Sequence, residues 1–369
     1  MLIHPSLIMR ALGCALLFAV LAFLLAAPPG FAQSNASAFR SDDLHVRVTE
    51  ADRAAAENGV HVYRHPYFAR TPAGLAARHE AAAALFRARA AASSEKSIIR
   101  NAGDDFTQNP GDVTFQGGPT IPFAVSHAVF INPGGRCPSI AACWGDPEHF
   151  LADVGESNFV HLLDQYTGIT ANDRYSVGSR AVLTDPIAEN PLLESDLIAI
   201  LHGVVMQTRL NGYGHIYHLF LQPGIDTCFD PPGNHVCYSP DVPATFVFCA
   251  YHDSFTFPDL GHVVFTVEPW QGAGSGCEDP AEGAPNSQLI DSTDDTLSHE
   301  FSETVSDPDG TAWFNGTALP LLGNEIGDEC LFLGPNGLIE PTFKINKHLY
   351  RVQSEYSNTK HACAISPHN

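Results

Sequence analysis

Eight of the chain's nine cysteines lie between residues 137 and 363, and that even number constrains the fold more than any other feature. They are Cys137, Cys143, Cys228, Cys237, Cys249, Cys277, Cys330 and Cys363. No two stand in a CxxC spacing, which argues against zinc–thiolate sites and for four disulfides formed in an oxidising compartment. Eight cysteines allow about 105 connectivities, so sequence alone leaves the pairing open. Local closure predicts Cys137–Cys143 and Cys228–Cys237; the other four cysteines still allow three pairings, of which Cys249–Cys277 with Cys330–Cys363 is the one expected.

The ninth cysteine, Cys14, sits in a leader that agrees with such a compartment. Residues 1–32 hold no acid and one arginine, Arg10, followed by an apolar run from about Ala11 to Ala27. Gly30 and Ala32 then stand at −3 and −1 of a signal-peptidase cut. This reads as a secretory signal, with a retained membrane anchor as the alternative. Cys14 precedes the apolar core, which speaks against a lipoprotein. No later stretch reaches the roughly 18 uncharged apolar residues a spanning helix needs, so no membrane span is expected after cleavage. The expected destination is extracellular, or periplasmic in a Gram-negative host. With 41 acidic against 19 basic residues the net charge is −22, which disfavours nucleic acid and anionic membranes as partners and is compatible with cation binding.

Residues 33–110 contain no cysteine and are rich in Ala, Arg and Glu. Leu75–Ala92 has helical periodicity, and Ser93-Ser94 and Asn101–Pro110 read as linker. We expect an N-terminal arm with one helix, the alternatives being a removed pro-segment or a flexible lead. Residues 111–369 form the expected disulfide-stapled domain. Strands are expected at Phe123–Ile131, Tyr175–Leu183, Ile216–Leu221, Thr245–Tyr251 and Val263–Val267. Helices are expected at His149–Tyr166, Pro191–Leu210 and about Thr293–Ser306. That interleaving predicts an α+β or α/β core with a mixed sheet.

The third helix carries the chemistry. Ser292 to Asp295 reads as its capping box, and Pro308 ends it at Asp307. Leu297, Phe301 and Val305 recur at i, i+4, i+8 and define a buried face. His299 and Glu303, also four apart, share another face, and Glu300 follows His299 directly. In the zinc-hydrolase motif HExxH, histidines at i and i+4 hold Zn²⁺ while the glutamate beside the first activates a water. Here Glu303 replaces the second histidine, which lowers the preference for zinc over harder divalent ions. Asn324-Glu325-Ile326-Gly327-Asp328-Glu329-Cys330 follows downstream. His215, His218 and His252 sit in or beside apolar strands and read first as satisfied core or edge histidines. His252, with Tyr251, is also a candidate fourth ligand or oxyanion donor.

At these motifs the sequence resembles the gluzincin metallopeptidases. The resemblance implies His299, Glu303 and Glu325 as metal ligands, Glu300 as the water-activating base, and Asp307 and Asp328 as supporting carboxylates behind them. Two departures stand out: Glu303 for a second histidine, and Asp328 one residue closer to Glu325 than in that pattern. A wider resemblance is to the EXORDIUM, or phosphate-induced, group of secreted proteins and their bacterial relatives. It rests on Gly117-Gly118-Pro119, Phe159–Tyr166, Phe248–His252, Ser298–Glu303 and Glu325–Cys330, in that order. This group brings no firm biochemical activity with it. Two readings follow. One is a secreted zincin-like metallohydrolase, most simply a peptidase acting on peptide or protein with Zn²⁺ or another divalent ion, its active-site helix packed on a mixed sheet. The other is a non-catalytic extracellular binding or signalling protein on the same scaffold.

Overall fold

The structure, a computed structural model, describes residues 38–69, 71–74, 76–77, 112–187, 189–229, 236–315, 325–330 and 342–367. The leader, the expected helix Leu75–Ala92 apart from residues 76–77, and the linker after it lie outside the described residues.

An eight-stranded sheet organises the chain. Its strands in sequence order are β1 (Leu44–Val46), β2 (Val60–Phe68), β3 (Ala124–Ile131), β4 (Tyr175–Val177), β5 (Ala181–Leu183), β6 (His215–Leu221), β7 (Phe248–Phe257) and β8 (Gly261–Glu268). Across the sheet the order is β1-β5-β3-β6-β8-β7-β2, with β4 also paired to β3. The pairings from β1 to β8 are parallel, whereas β8–β7 and β7–β2 are antiparallel. The fold is therefore mixed α/β around one mixed sheet. Residues 44–68 of the expected arm are part of that sheet: β1 pairs with β5, and β2 forms the edge beside β7.

Alternation along the strands divides the core into two layers. Val129 and Ile131 of β3 pack on one side, with Val263, Phe265 and Val267 of β8. Ala128 and Phe130 pack on the other, with Ile216, Phe220 and Val264. Helix α3 (Glu194–Thr208), backed by α1 (Glu50–Asn58), covers the first side through Leu197, Ile198, Leu201, Val204 and Val205. Helices α2 (Pro147–Gly155) and α4 (Gln288–Ser306) cover the second. At roughly 1.5–3 kcal/mol for each fully buried large apolar side chain, these layers are the main driving force of the fold.

Helix α4 is longer than its sequence implies. Ser287 caps it by accepting from Ile290 N, so it starts five residues before Ser292. Ser292 lies inside the helix and donates from Oγ to Gln288 O. Thr293, Thr296, Ser298, Thr304 and Ser306 bond back one turn in the same way. Those bonds let a Ser/Thr-rich helix run through the interior without orphaned hydroxyls at each turn. Leu297, Phe301 and Val305 face the sheet, and the helix ends at Ser306 before Asp307-Pro308. His149–Tyr166, expected as one helix, divides into α2, a 3-10 turn Val160–Leu163 and a short helix Asp164–Thr167.

All four expected disulfides are present: Cys137–Cys143, Cys228–Cys237, Cys249–Cys277 and Cys330–Cys363. Four bridges fit an oxidising compartment. Among the described residues, no helix is long and apolar enough to cross a membrane.

Candidate metal centre

The centre lies between α4, the β2–β7 edge of the sheet and the segment Glu325–Cys330. Its side chains are completely buried: His65, His252, His299, Glu300, Glu303 and Glu325 are each at most 1% exposed. Three imidazole nitrogens surround a single carboxylate oxygen, Glu303 Oε2. His299 Nε2 lies 3.1 Å from it, His65 Nε2 3.6 Å and His252 Nδ1 3.7 Å. That oxygen has no hydrogen-bond partner, and neither does His299 Nε2, His252 Nε2, Glu300 Oε1 or Glu325 Oε2. Unmatched buried polar atoms each cost on the order of 1–3 kcal/mol, so a convergent set of five needs a physical reason.

Most of these groups are held through their other atom. Glu303 Oε1 accepts from Gly327 N at 3.1 Å and Asp328 N at 3.0 Å. Glu325 Oε1 accepts from Tyr63 OH at 2.5 Å. Gln353 Nε2 donates to Gly327 O at 2.7 Å and lies 2.9 Å from His299 Nδ1. His252 Nδ1 bonds Glu300 Oε2 at 3.2 Å. Gly327 is required by this closeness. A Cβ there would sit 2.5 Å from His299 Nδ1 and 2.9 Å from Glu303 Oε1.

His65 and His252 face each other across the β2–β7 register, which brings the arm into the centre. His65 Nε2 donates to Asp328 Oδ2 at 2.7 Å and its Nδ1 bonds Tyr63 OH at 2.9 Å. Burial pulls the His65 pKa down, but Asp328 and Glu303 outweigh it and hold the ring up at about 9, an imidazolium at neutral pH. Burial pushes His252 the other way, well below the usual range, helped by His65 and His299. Burial drives Glu300 and Glu325 far above the usual carboxylate range, reinforced by neighbouring acids: Glu268 and Glu303 for Glu300, Asp307 and Glu303 for Glu325. Among the described residues the ion pairs of Glu300, Glu303 and Glu325 are all with histidines; no Lys or Arg balances them.

A chain of buried hydrogen bonds runs from the middle of the sheet to Glu268, whose charge, when ionised, acts on Glu300. His218 bonds Ser126 Oγ at 3.1 Å and Thr266 Oγ1 at 2.9 Å, and Thr266 donates to Glu268 Oε1 at 2.8 Å. Burial raises Glu268 to about 8, so a protonated carboxyl group stands beside Glu300.

The expected site residues are distributed as follows. His299 and Glu303 meet, and Glu300 joins Glu303 and His252 in a cluster whose ligand atoms all lie within 4.8 Å. His65, Glu303 and Asp328 form a second such cluster. The trio His299, Glu303 and Glu325 is not one of these; Glu325 Oε2 lies instead 3.7 Å from His252 Nε2. Gln353 occupies the place behind His299 expected for Asp307. Asp307 shapes the turn after α4, accepting from Thr311 N and Ala312 N at 2.7 Å each. Burial raises Asp307 to about 7 despite those bonds. Asp328 supports His65 rather than His299. His252 belongs to the centre, while its neighbour Tyr251 projects from the opposite face of β7 and packs on Phe229, Phe248 and Phe265. His65, Tyr63, Gln353 and Glu268 have no counterpart in the sequence reading. The signal for the first two is His61-Val62-Tyr63-Arg64-His65-Pro66-Tyr67, in which a polar or aromatic residue falls at every second position.

A cavity of about 350 Å³ lies elsewhere, lined by Asn158, His161, Asp164, Gln165, Ser357, Thr359 and Pro367, and includes none of the centre's residues. Comparisons with protein-family models, curated proteins and solved structures return no match to this chain. Its function therefore has to be argued from the centre itself.

Proposed function

We propose that this chain is an exported, metal-dependent hydrolase, most simply a peptidase, centred on α4. The observation that supports this is the convergence of His299 Nε2 and His252 Nδ1 on the unpaired Glu303 Oε2, where among the described residues no Lys or Arg pairs with the carboxylates. Buried charge requires a counter-charge, and imidazole with carboxylate is a donor set for zinc and for harder divalent ions such as manganese. Glu303, His299 and His252 would hold the ion, and Glu325 flanks them through its free Oε2. A divalent ion so held would polarise a substrate carbonyl and acidify water.

The chain's own groups supply the rest. Glu300, within reach of His252 and Glu303, is the base that takes a proton from water. Once protonated, Glu300 is placed to pass that proton to the leaving group. His65, kept as an imidazolium by Asp328, brings fixed positive charge to the place where negative charge develops. Gln353 and Tyr63 hold the His299 and Glu325 side chains in orientation.

The test is Glu300→Gln in the full chain. It should keep the wild-type metal content, measured by elemental analysis, and lose hydrolysis of an unfolded protein substrate. Unchanged hydrolysis in the variant, or no cleavage by wild type loaded with Zn²⁺, Mn²⁺ or Co²⁺, rules the mechanism out.

The total burial of the centre favours a second reading, a non-catalytic extracellular binding or signalling protein in which these groups share protons instead of an ion. Its mark is a melting temperature that ignores EDTA and a purified chain free of stoichiometric metal.

A further inference from the structure

A separate cluster lies where α2 meets the hairpin formed by β9 (Thr342–Ile345) and β10 (His348–Arg351). His149 and Asp153 stand one helical turn apart on α2, and His348 opens β10. His149 Nε2 lies 3.6 Å and His348 Nδ1 2.8 Å from the same oxygen, Asp153 Oδ2. The two rings meet edge to face with centroids 4.5 Å apart. The three ligand atoms all fall within 4.8 Å of one another. Unlike the inner centre this group is open to water: the histidine side chains are 35% and 34% exposed, while Asp153 is 9% exposed.

The carboxylate is set in place by neutral donors. Tyr350 OH donates to Oδ2 at 2.5 Å and Asn346 Nδ2 to Oδ1 at 3.0 Å. Burial alone would raise the Asp153 pKa, but these bonds and that of His348 outweigh it and keep the carboxylate ionised. The tight turn before β10, with φ of +48° at Asn346 and +78° at Lys347, delivers both Asn346 and His348 to Asp153.

We propose that His149, Asp153 and His348 form a second, solvent-accessible site for a borderline divalent ion of the zinc, copper or nickel class. Two imidazoles and one carboxylate are three protein ligands of the type such ions take, with water completing the shell. Tyr350 and Asn346 are the outer groups that orient the carboxylate, as supporting residues do in metal sites. The site joins α2 to a hairpin nearly 200 residues later, so an ion here fastens the C-terminal hairpin to the body of the fold. It uses no residue of the inner centre and stands or falls independently of the hydrolase reading.

The experiment is calorimetric titration of Zn²⁺ into the chelator-stripped full chain, wild type against His149→Ala/His348→Ala. Circular dichroism confirms folding; both positions are partly exposed, so the variant should fold. Wild type should take up one equivalent more than the double variant, with at least a tenfold loss of affinity for that equivalent in either single variant. Cu²⁺ added to wild type should show an EPR component with nitrogen hyperfine structure that is missing from the double variant. Identical zinc stoichiometry and affinity in wild type and double variant overturn the proposal.

Discussion

Helices α3 and α4 cover opposite faces of one sheet and are both buried, yet they are built from opposite materials. Helix α3 runs Leu197-Ile198-Ala199-Ile200-Leu201, with Val204 and Val205 beyond, and its one buried histidine, His202, is paired with Asp52. In α4 every residue from Asp291 to Ser306 is buried, and the run includes Asp294, Asp295, His299, Glu300 and Glu303. An apolar helix is stabilised by leaving water. A polar one loses by leaving it, unless each group finds a partner. Six hydroxyls of α4 find theirs one turn back, whereas His299, Glu300 and Glu303 gather with His252 around Glu303 Oε2. The contrast locates function: a fold keeps so much buried ionisable material at one place when that place binds or reacts.

The comparison can be broken by experiment. The largest effect should come from stripping metal. Saturation at a thousandfold excess over Kd contributes about 4 kcal/mol, so EDTA should lower the melting temperature of wild type. Leu201→Ala on α3 should cost roughly 2–5 kcal/mol by itself and leave the EDTA shift intact. An EDTA shift abolished by Leu201→Ala would show that the two faces are not separate.

Next is the Cys330–Cys363 bridge, which ties the segment bearing Glu325 and Asp328 to the C-terminal strands. Replacing both cysteines with serine should cost about 3–4 kcal/mol in urea unfolding. It should also weaken metal binding, whereas replacing Cys228 and Cys237 on the other side should not. A smaller effect is expected at Gln353. Leucine there removes the amide that contacts His299 Nδ1 and should lower metal affinity about 10- to 100-fold, equivalent to roughly 1.4–2.8 kcal/mol, without change in the Leu201 layer.

A pH effect at His218 tests the sheet between the two helices. Burial, aided by His127, lowers its pKa from 6.5 to about 3 in the folded chain. The unfolded chain therefore takes up a proton below pH 6.5 that the folded one refuses. The associated stability is complete above pH 6.5 and falls as pH drops towards 3, by up to about 1.4 kcal/mol per unit. His218→Gln should flatten that acid limb in urea midpoints measured from pH 7 to 4. An unchanged limb would place the proton uptake elsewhere.

Much of the framework was legible because it rests on short-range rules. Apolar runs marked β3, β6 and β8, Pro308 marked the end of α4, and spacing put His299 and Glu303 on one face. The start of α4 was misplaced because Ser292 resembles a cap but bonds backwards inside the helix. The other half of the centre was hidden for a different reason. His65 and Tyr63 belong to an edge strand whose polar alternation looks solvent-facing, and only the pairing of β2 with β7 turns it inward. Gln353 is an ordinary amide until the fold sets it behind His299. Such contacts depend on tertiary pairing that spacing along a chain does not encode.

The edge position of β2 has a consequence for the order of assembly. The centre unites His65 with His252, His299, Glu325 and Gln353, so it closes only when the first tenth of the described chain and nearly the last are both in place. Contacts of such long sequence separation form slowly. During synthesis the amino-terminal strand must wait for its partner β7, almost two hundred residues behind it, with Tyr63 and His65 unprotected. A chain shortened before residue 353 should keep most of its sheet yet never complete the cluster, which makes the C-terminus a checkpoint for maturation.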